Sequence, residues 1–140
     1  MKDVQAEFSA AQAITGTAAS TNFINLGLPK TAPGAPAATK RDLGTHQAIE
    51  IQVVEAFGTL TSLTVNVEMD DNSSFSSPKT VATTGAIALA KLTLGAILPI
   101  SQLPLGSDEQ YLRLNYVVAG TDADAGKITS GLVTGSVKHV

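Results

Sequence analysis

The sequence contains no cysteine and no tryptophan, and aromatic residues make up only 4% of its 140 residues. Without cysteine there can be no disulfide, no thiolate metal site and no thiol nucleophile. Charged residues are also scarce, at 15%, and the nine basic residues are scattered along the chain. Because nucleic-acid binding depends on clustered positive charge, we expect no nucleic-acid partner. A surface with few charges suits large neutral contacts within an assembly, although an ordinary β protein rich in serine and threonine can also have one.

Residues typical of catalysis are few. The chain has two histidines, of which His46 begins a predicted strand and His139 is the next-to-last residue. Serines and aspartates are plentiful, but the Gly-x-Ser-x-Gly sequence that positions a serine nucleophile in many hydrolases is absent. We therefore predict no catalytic residue and no enzymatic activity.

Two acidic turns resemble the start of a calcium-binding loop. The first begins at Asp70, but Phe75 and Val81 occupy the positions where such a loop needs glycine and a bidentate carboxylate. The second, with Asp122 and Asp124, fails in the same way. We predict no metal and no cofactor, which leaves only a weak calcium site of another type open at either turn.

Long hydrophobic runs are also missing. The most apolar stretch, residues 85–100, contains Lys91, ends near Pro99 and is too short to span a bilayer. The N-terminal residues do not have the apolar core of a signal peptide. We expect a soluble protein that is made in the cytoplasm and has no membrane partner.

The clearest structural pattern is an alternation in residues 110–121. Leu112, Leu114, Tyr116 and Val118 fall on one face of an extended chain, and Gly120 follows them. A period of two over eight residues predicts a strand with one packed face. We take it as a central strand of the fold.

Similar patterns predict further short strands separated by turns. They fall at residues 21–26, 46–54, 62–69, 79–84, 86–89, 96–100 and 127–134. The short link between residues 46–54 and 62–69 predicts an antiparallel hairpin. Because no window keeps a helical period, we predict an all-β fold: an antiparallel β-sandwich of jelly-roll type with seven to eight strands. We assign residues 1–20 to an extended N-terminal arm and residues 21–140 to a single jelly-roll domain.

The arm and a proline-rich stretch are the candidate partner contacts. Residues 28–44 contain three prolines, which favour an extended path without backbone pairing. The arm either packs on the core or reaches a neighbouring subunit. The tentative contact residues are Phe8, Ile14, Pro33, Pro36, Lys40 and Arg41. An exposed sheet edge is a further candidate, because it can add a strand from a partner.

Several segments together resemble one protein family. They are residues 7–15 (EFSAAQAIT), 21–27 (TNFINLG), 41–44 (RDLG), 61–65 (TSLTV), 75–78 (FSSP), 111–116 (YLRLNY) with 120–121 (GT), and 125–127 (AGK) with 131–133 (GLV). In this order they resemble the jelly-roll cement, or decoration, proteins of tailed bacteriophage capsids, of the type found in a Bordetella phage. The segments are distributed from residue 7 to residue 133, nearly the whole length of the chain. The proline-rich stretch and the acidic turn at residues 121–126 depart from the family pattern.

The resemblance implies a virion protein on the outer capsid surface. Such a protein bridges major capsid protein subunits, stabilises the shell and contacts neighbouring copies of itself as a dimer or trimer. The alternative is a carbohydrate- or receptor-binding jelly-roll module of a virion or a secreted protein. Sugar sites usually stack the ligand on exposed aromatic rings, and Tyr111 is the one aromatic residue predicted on the wetter face of a strand.

Overall fold

The computed structural model describes residues 2–27, 31–36, 47–100, 102–103 and 109–133. These residues form seven strands, all antiparallel and joined by hydrogen bonds into one sheet. The strands are β1 (Lys2–Ala13), β2 (Ala18–Ala19), β3 (Ile24–Asn25), β4 (Ile49–Asp70), β5 (Lys79–Thr83), β6 (Ile87–Ala88) and β7 (Tyr111–Val133). One turn of 3-10 helix, Leu89–Lys91, is the only helix among the described residues. The predicted all-β antiparallel architecture is confirmed.

The two long strands, β4 and β7, bend so that the sheet packs against itself. Tyr116 and Ser130 are 14 residues apart on β7. On a straight strand they would be about 46 Å apart, at roughly 3.3 Å per residue. Their hydroxyl oxygens are instead 2.9 Å apart in the buried interior. The two halves of β7 therefore belong to two facing layers of a sandwich.

The strand order in both layers is that of a jelly roll. In the first layer, β1 pairs with residues 127–133 of β7, and β7 pairs with residues 49–58 of β4. Single bridges then join Gln52 of β4 to Ile97, and Ala48, just before β4, to Gln102. In the second layer, β2 and β3 pair with residues 111–116 of β7, β7 pairs with residues 60–70 of β4, and β4 pairs with β5 and β6. Each layer thus contains four segments. If the segments of a layer are numbered by their position along the chain, they lie side by side in the order first, fourth, second, third. This order is the same in both layers, as in the double-sheet jelly roll.

The predicted hairpin between residues 46–54 and 62–69 is wrong. Residues 49–54 and 62–69 both lie on β4 and pair with β7 instead of each other. The residues between them, with Gly58, form a bend with four successive register shifts, which are typical of β-bulges that bend a strand. The predicted turn at residues 122–126 is likewise part of β7.

A glycine makes the bend of β7 possible. Gly126 has φ of 137°, in the region that favours glycine, and a Cβ added there would clash with the ring of Phe57. The close packing of Phe57 over this backbone closes the interior at the bend. The sequence signal of a turn therefore marks a bulged bend within one strand.

The core lies between the layers and contains the alternating residues that the sequence predicts. Leu112, Leu114 and Tyr116 of β7 are fully buried. The fully buried inward residues of β4 are Ile49, Ile51, Val53, Leu63, Val65, Val67 and Met69. The period-two patterns thus identified the packed faces correctly, although they did not show that two pairs of predicted strands are continuous.

Residues 2–13 of the predicted N-terminal arm form β1, an edge strand of the first layer. β1 pairs along one side with β7, and the carbonyl of Phe8 accepts a hydrogen bond from the backbone N–H of Asn22. The side chains of Phe8 and Ile14 are 0% and 1% exposed and belong to the central core. Because both side chains are needed to fill the interior, this stretch contributes to the fold itself.

Candidate partner-binding surface

Three aromatic rings from separate parts of the chain meet on the outer face of the second layer. Phe23 precedes β3, Phe75 lies in the connection between β4 and β5, and Tyr111 begins β7. The ring of Phe23 makes edge contacts with Phe75 and Tyr111, at centroid distances of 5.9 and 5.7 Å. Phe23 remains 46% exposed. We call Phe23, Phe75, Tyr111 and the adjoining Arg113 the aromatic platform.

A partly buried ion pair holds one side of the aromatic platform in place. The guanidinium of Arg113 lies 4.4 Å from the centre of the Phe75 ring, a cation–π geometry. It also donates to the carboxylate of Glu68 from Nε, at 2.8 Å, and from Nη2, at 2.7 Å. The other carboxylate oxygen of Glu68 accepts from the side-chain amide of Asn115 at 3.1 Å. With both Glu68 oxygens bonded, Arg113 has little freedom to move away from Phe75.

The loop that carries Phe75 is organised by Asp70. One carboxylate oxygen of Asp70 accepts from the N–H of Asp71, at 2.7 Å, and the other from the N–H of Ser77, at 2.8 Å. Burial alone would raise the pKa of Asp70, but these hydrogen bonds outweigh it and the pKa is lowered from its ordinary value. The bonds to Asp70 therefore fix both ends of the loop.

Phe75 itself has a strained backbone. Its φ is 50°, which is an outlier for a bulky residue and costs on the order of 1–2 kcal/mol. This backbone conformation places the Phe75 ring on the outer face of the second layer, outside the central core cluster. Even there the ring is only 7% exposed. The fold thus maintains a rigid aromatic surface at an energetic cost, a feature that often marks functional surfaces.

The structure distributes the predicted contact residues among three environments. Phe8 and Ile14 are buried in the core, so in this conformation their side chains offer no surface to a partner. Pro33 and Pro36 lie in residues 31–36, all of which are exposed. Lys40 and Arg41 lie outside the described residues, so their predicted contacts are not tested.

The proline segment contains a defined turn. The N–H of Ala35 donates to the carbonyl of Ala32 at 3.0 Å, with Pro33 and Gly34 between them. Gly34 has φ of 84°, as the third position of a type II turn requires, and proline favours the second position. This turn projects a proline from the surface in a fixed conformation.

A groove of about 850 Å³ lies on another part of the surface, along the chain that follows β5. Its lining includes Ile87, Lys91, Leu94 and Leu98. Leu94 is 71% exposed and, with Phe23, is one of two large exposed hydrophobic side chains in the part of the chain that the structure describes. The sequence analysis assigned no function to these residues.

The acidic turn that begins at Asp70 uses its side-chain oxygens within the chain. Both oxygens of the Asp70 carboxylate accept backbone hydrogen bonds, and Asn72 Oδ1 accepts from the N–H and the hydroxyl of Ser74. Across the described ranges, no group of three or more histidine or acidic side chains lies close enough to hold a metal ion.

None of the helical residues in these ranges forms a segment long and apolar enough to cross a membrane. The histidines, His46 and His139, lie outside them.

Sequence reasoning found Tyr111 but missed the other members of the aromatic platform as a group. Phe75 is only 7% exposed and Arg113 lies on the less buried face of β7, but the sequence analysis connected neither of them with Tyr111. The contact between Phe23 and Tyr111 follows from the pairing of β3 with β7, which joins Asn25 to Tyr111. The alternation of apolar and polar residues does not show which distant strands pair, so the sequence contained no signal that would bring these residues together.

The fold and surface together define a jelly-roll protein with a rigid, aromatic outer face. Residues 8–132 match the family model named Bbp16, so the chain belongs to the Bbp16 family. The name indicates a Bordetella phage protein, which makes the chain phage-related. The search of curated proteins finds no match for the chain. The match begins at Phe8 on β1 and ends one residue before the end of β7, so it covers both layers of the sandwich.

Proposed function

We propose that the chain is a capsid cement, or decoration, protein of a tailed bacteriophage. It binds the outer capsid surface, bridges major capsid protein subunits and stabilises the shell, after synthesis in the host cytoplasm. The observation that carries the proposal is the match to a phage protein family across the whole sandwich. The jelly-roll fold, which the resemblance to cement proteins implies, supports it.

The proposal requires adhesive surfaces on a rigid frame, and it assigns no catalytic residue or cofactor. Three surfaces are available: the aromatic platform, the turn at residues 31–36 and the outer edge of β1. The edge of β1 can accept a strand of the major capsid protein, because within the described ranges β1 has a strand partner on one side only. Repetition over a capsid lattice makes many modest contacts strong in sum.

Heating of capsids tests the stabilising function. Capsids of the parent phage are prepared without this chain, and DNA release on heating is measured before and after the purified chain is added. The proposal predicts that the chain binds these capsids and that release shifts to higher temperature. Absence of binding, or binding without any shift in release temperature, contradicts the cement function.

The exposure of Phe23 beside Tyr111 favours one alternative, a carbohydrate- or receptor-binding module. Sugars stack on exposed aromatic faces, and Phe23 presents such a face at 46% exposure. A glycan array probed with the purified chain tests this alternative. A binding signal that is lost in both Phe23→Ala and Tyr111→Ala variants would support it, and an array without signal would reject it.

A further inference from the structure

The aromatic platform already holds one cation of its own chain, and this contact shows which chemistry the surface accepts. The guanidinium of Arg113 lies 4.4 Å from the centre of the Phe75 ring and is bonded to the carboxylate of Glu68. The face of an aromatic ring carries partial negative charge, so the ring and the carboxylate attract the same positive group. A second ring of the platform lies further out and offers the same kind of contact to a partner.

That second ring is Phe23, which is 46% exposed. Its position is fixed by edge contacts with Phe75 and Tyr111, at 5.9 and 5.7 Å between ring centres. Within the described ranges, the only cation seated on an aromatic ring is Arg113, and it lies on Phe75. Phe23 is therefore an exposed ring with an unoccupied face, and little conformational entropy remains to be lost when a partner packs on it.

The charges around the platform favour a positive partner. Four carboxylates and two cations of the described chain lie there, namely Glu68, Asp70, Asp71, Glu109, Lys79 and Arg113. Each of the two cations is paired with one carboxylate, which leaves Asp70 and Asp71 without an ion-pair partner among the described residues. Asp70 is buried and bonded to backbone N–H groups, whereas Asp71 is exposed. An uncompensated negative charge thus faces solvent.

This negative charge and the exposed ring belong to one surface. Asp70 lies opposite Tyr111 where β4 pairs with β7, and Asp71 begins the loop that carries Phe75. An exposed aromatic face and an uncompensated carboxylate both attract a cation, and both repel an anion. A neutral sugar would gain nothing from the charge. The two observations together therefore favour a positively charged side chain as the occupant.

We propose that the aromatic platform binds a basic segment of the major capsid protein. An arginine or lysine side chain of that segment packs on the exposed face of Phe23, and the carboxylate of Asp71 balances its charge. The contact repeats, with a cation from the partner, the arrangement that Arg113 makes within the chain. This inference rests on the proposed cement function and deepens it, because it names the surface and the chemistry of the capsid contact.

Binding of the labelled chain to capsids prepared without it tests the proposal. Phe23→Leu keeps a large apolar side chain but removes the ring, and should raise the dissociation constant about tenfold. Phe23→Tyr keeps the aromatic face and should bind as the wild type does. Asp71→Asn keeps the shape of the side chain but removes its charge, and should raise the dissociation constant about two- to fivefold. Added salt should weaken binding of the wild type more than that of Asp71→Asn.

Two matched controls separate the platform from the rest of the surface. Leu94→Ser removes the other exposed large hydrophobic side chain of the described residues, and Asp122→Asn makes the same charge change at an exposed position of β7. Both should bind as the wild type does. If the wild type binds capsids and Phe23→Leu binds them equally well, this inference is overturned and the cement function stands. A wild type that does not bind capsids contradicts the cement function and, with it, the partner named here.

A titration of the wild-type chain needs neither a variant nor a capsid. A short peptide of alternating glycine and arginine is added while the ring protons of Phe23 and Tyr111 are followed by NMR. The same peptide with glutamate in place of arginine, and maltose, are the comparison ligands. We expect the arginine peptide to shift the Phe23 resonances at millimolar concentration and the other two to have little effect. No shift with the arginine peptide, or a shift with maltose alone, would overturn the proposal.

Discussion

The hydroxyl of Tyr116 lies 2.8 Å from that of Ser9, which joins β1 to the facing layer through the buried interior. Ser9 donates its only hydroxyl proton to Gln12 Oε1 at 2.6 Å, so Tyr116 donates to Ser9. Tyr116 in turn accepts from Ser130, at 2.9 Å. Burial raises the pKa of Tyr116, an effect that its hydrogen bonds with Ser130 and Ser9 only partly offset. The phenol therefore remains a neutral donor at ordinary pH.

Loss of the phenol hydroxyl should destabilise the fold. Tyr116→Phe leaves the hydroxyls of Ser9 and Ser130 in the interior without one of their partners, which we expect to cost about 1–3 kcal/mol. The free energy of unfolding from urea denaturation provides the measurement. The triple variant Ser9→Ala/Tyr116→Phe/Ser130→Ala removes the unsatisfied groups and should recover part of the loss. A single variant as stable as the wild type would show that the hydroxyls do not act together.

Two phenylalanines provide a matched comparison of interior and surface. Phe8→Ala empties a fully buried site and should cost about 3–5 kcal/mol. Phe23→Ala removes only edge contacts of a half-exposed ring and should cost about 1 kcal/mol. Urea denaturation of both variants measures the difference. If Phe8→Ala were the milder change, β1 would not be part of the core.

Deletion of residues 1–12 follows the same reasoning. The truncated chain loses Phe8 from the core, Ser9 from the hydroxyl chain and most of the strand that pairs with β7 at the edge of the first layer. We expect it to unfold or aggregate at room temperature, as judged by circular dichroism and light scattering. A folded, monomeric truncation would indicate that the N-terminal residues are an independent arm.

The bend in β7 predicts a strong effect at one glycine and a weak effect at another. Gly126→Ala places a methyl group against the Phe57 ring at a φ of 137° and should cost more than about 2 kcal/mol. Gly16→Ala is the control, because its nearest contact, Asp122 Oδ1, is 3.6 Å away. Thermal unfolding compares the two variants. Equal midpoints would show that the backbone at residue 126 relaxes without cost.

The lowered pKa of Asp70 predicts a pH dependence of stability. Its contribution is fully present above its ordinary pKa of 3.8 and is lost as the pH falls through the lower value of the folded state. Asp70→Asn should therefore be less stable than the wild type at pH 7, and the difference should shrink below pH 3.8. Asp122→Asn, at an exposed position of β7, is the control. A difference between Asp70→Asn and wild type that is independent of pH would contradict this role of the Asp70 carboxylate.

The sequence predicted the packed faces because burial on one side of a strand leaves a period-two pattern, as Leu63, Val65 and Val67 illustrate. It did not predict that β4 and β7 continue through the bend, because Gly58 and Gly126 give the same local signal in a bulge as in a hairpin turn. Phe8 was assigned to an N-terminal arm that either packs on the core or reaches a neighbouring subunit, and the sequence did not decide between the two. Its burial depends on a pairing with distant β7 residues that local patterns do not report.

The aromatic platform was beyond prediction for a related reason. Phe23, Phe75 and Tyr111 belong to three chain segments that meet only when the jelly-roll order is formed. Each residue alone resembles an ordinary strand or loop position. The proline segment was recognised because proline acts locally, through a fixed φ and a missing donor.

The stoichiometry of the chain on virions tests the central claim most directly. Purified virions of the parent phage are sedimented, and the amounts of this chain and of the major capsid protein in the pellet are measured by quantitative mass spectrometry. The account predicts a ratio near one copy per major capsid subunit, retained when tails are removed. Absence from the virion, or a few copies that leave with the tails, would contradict it.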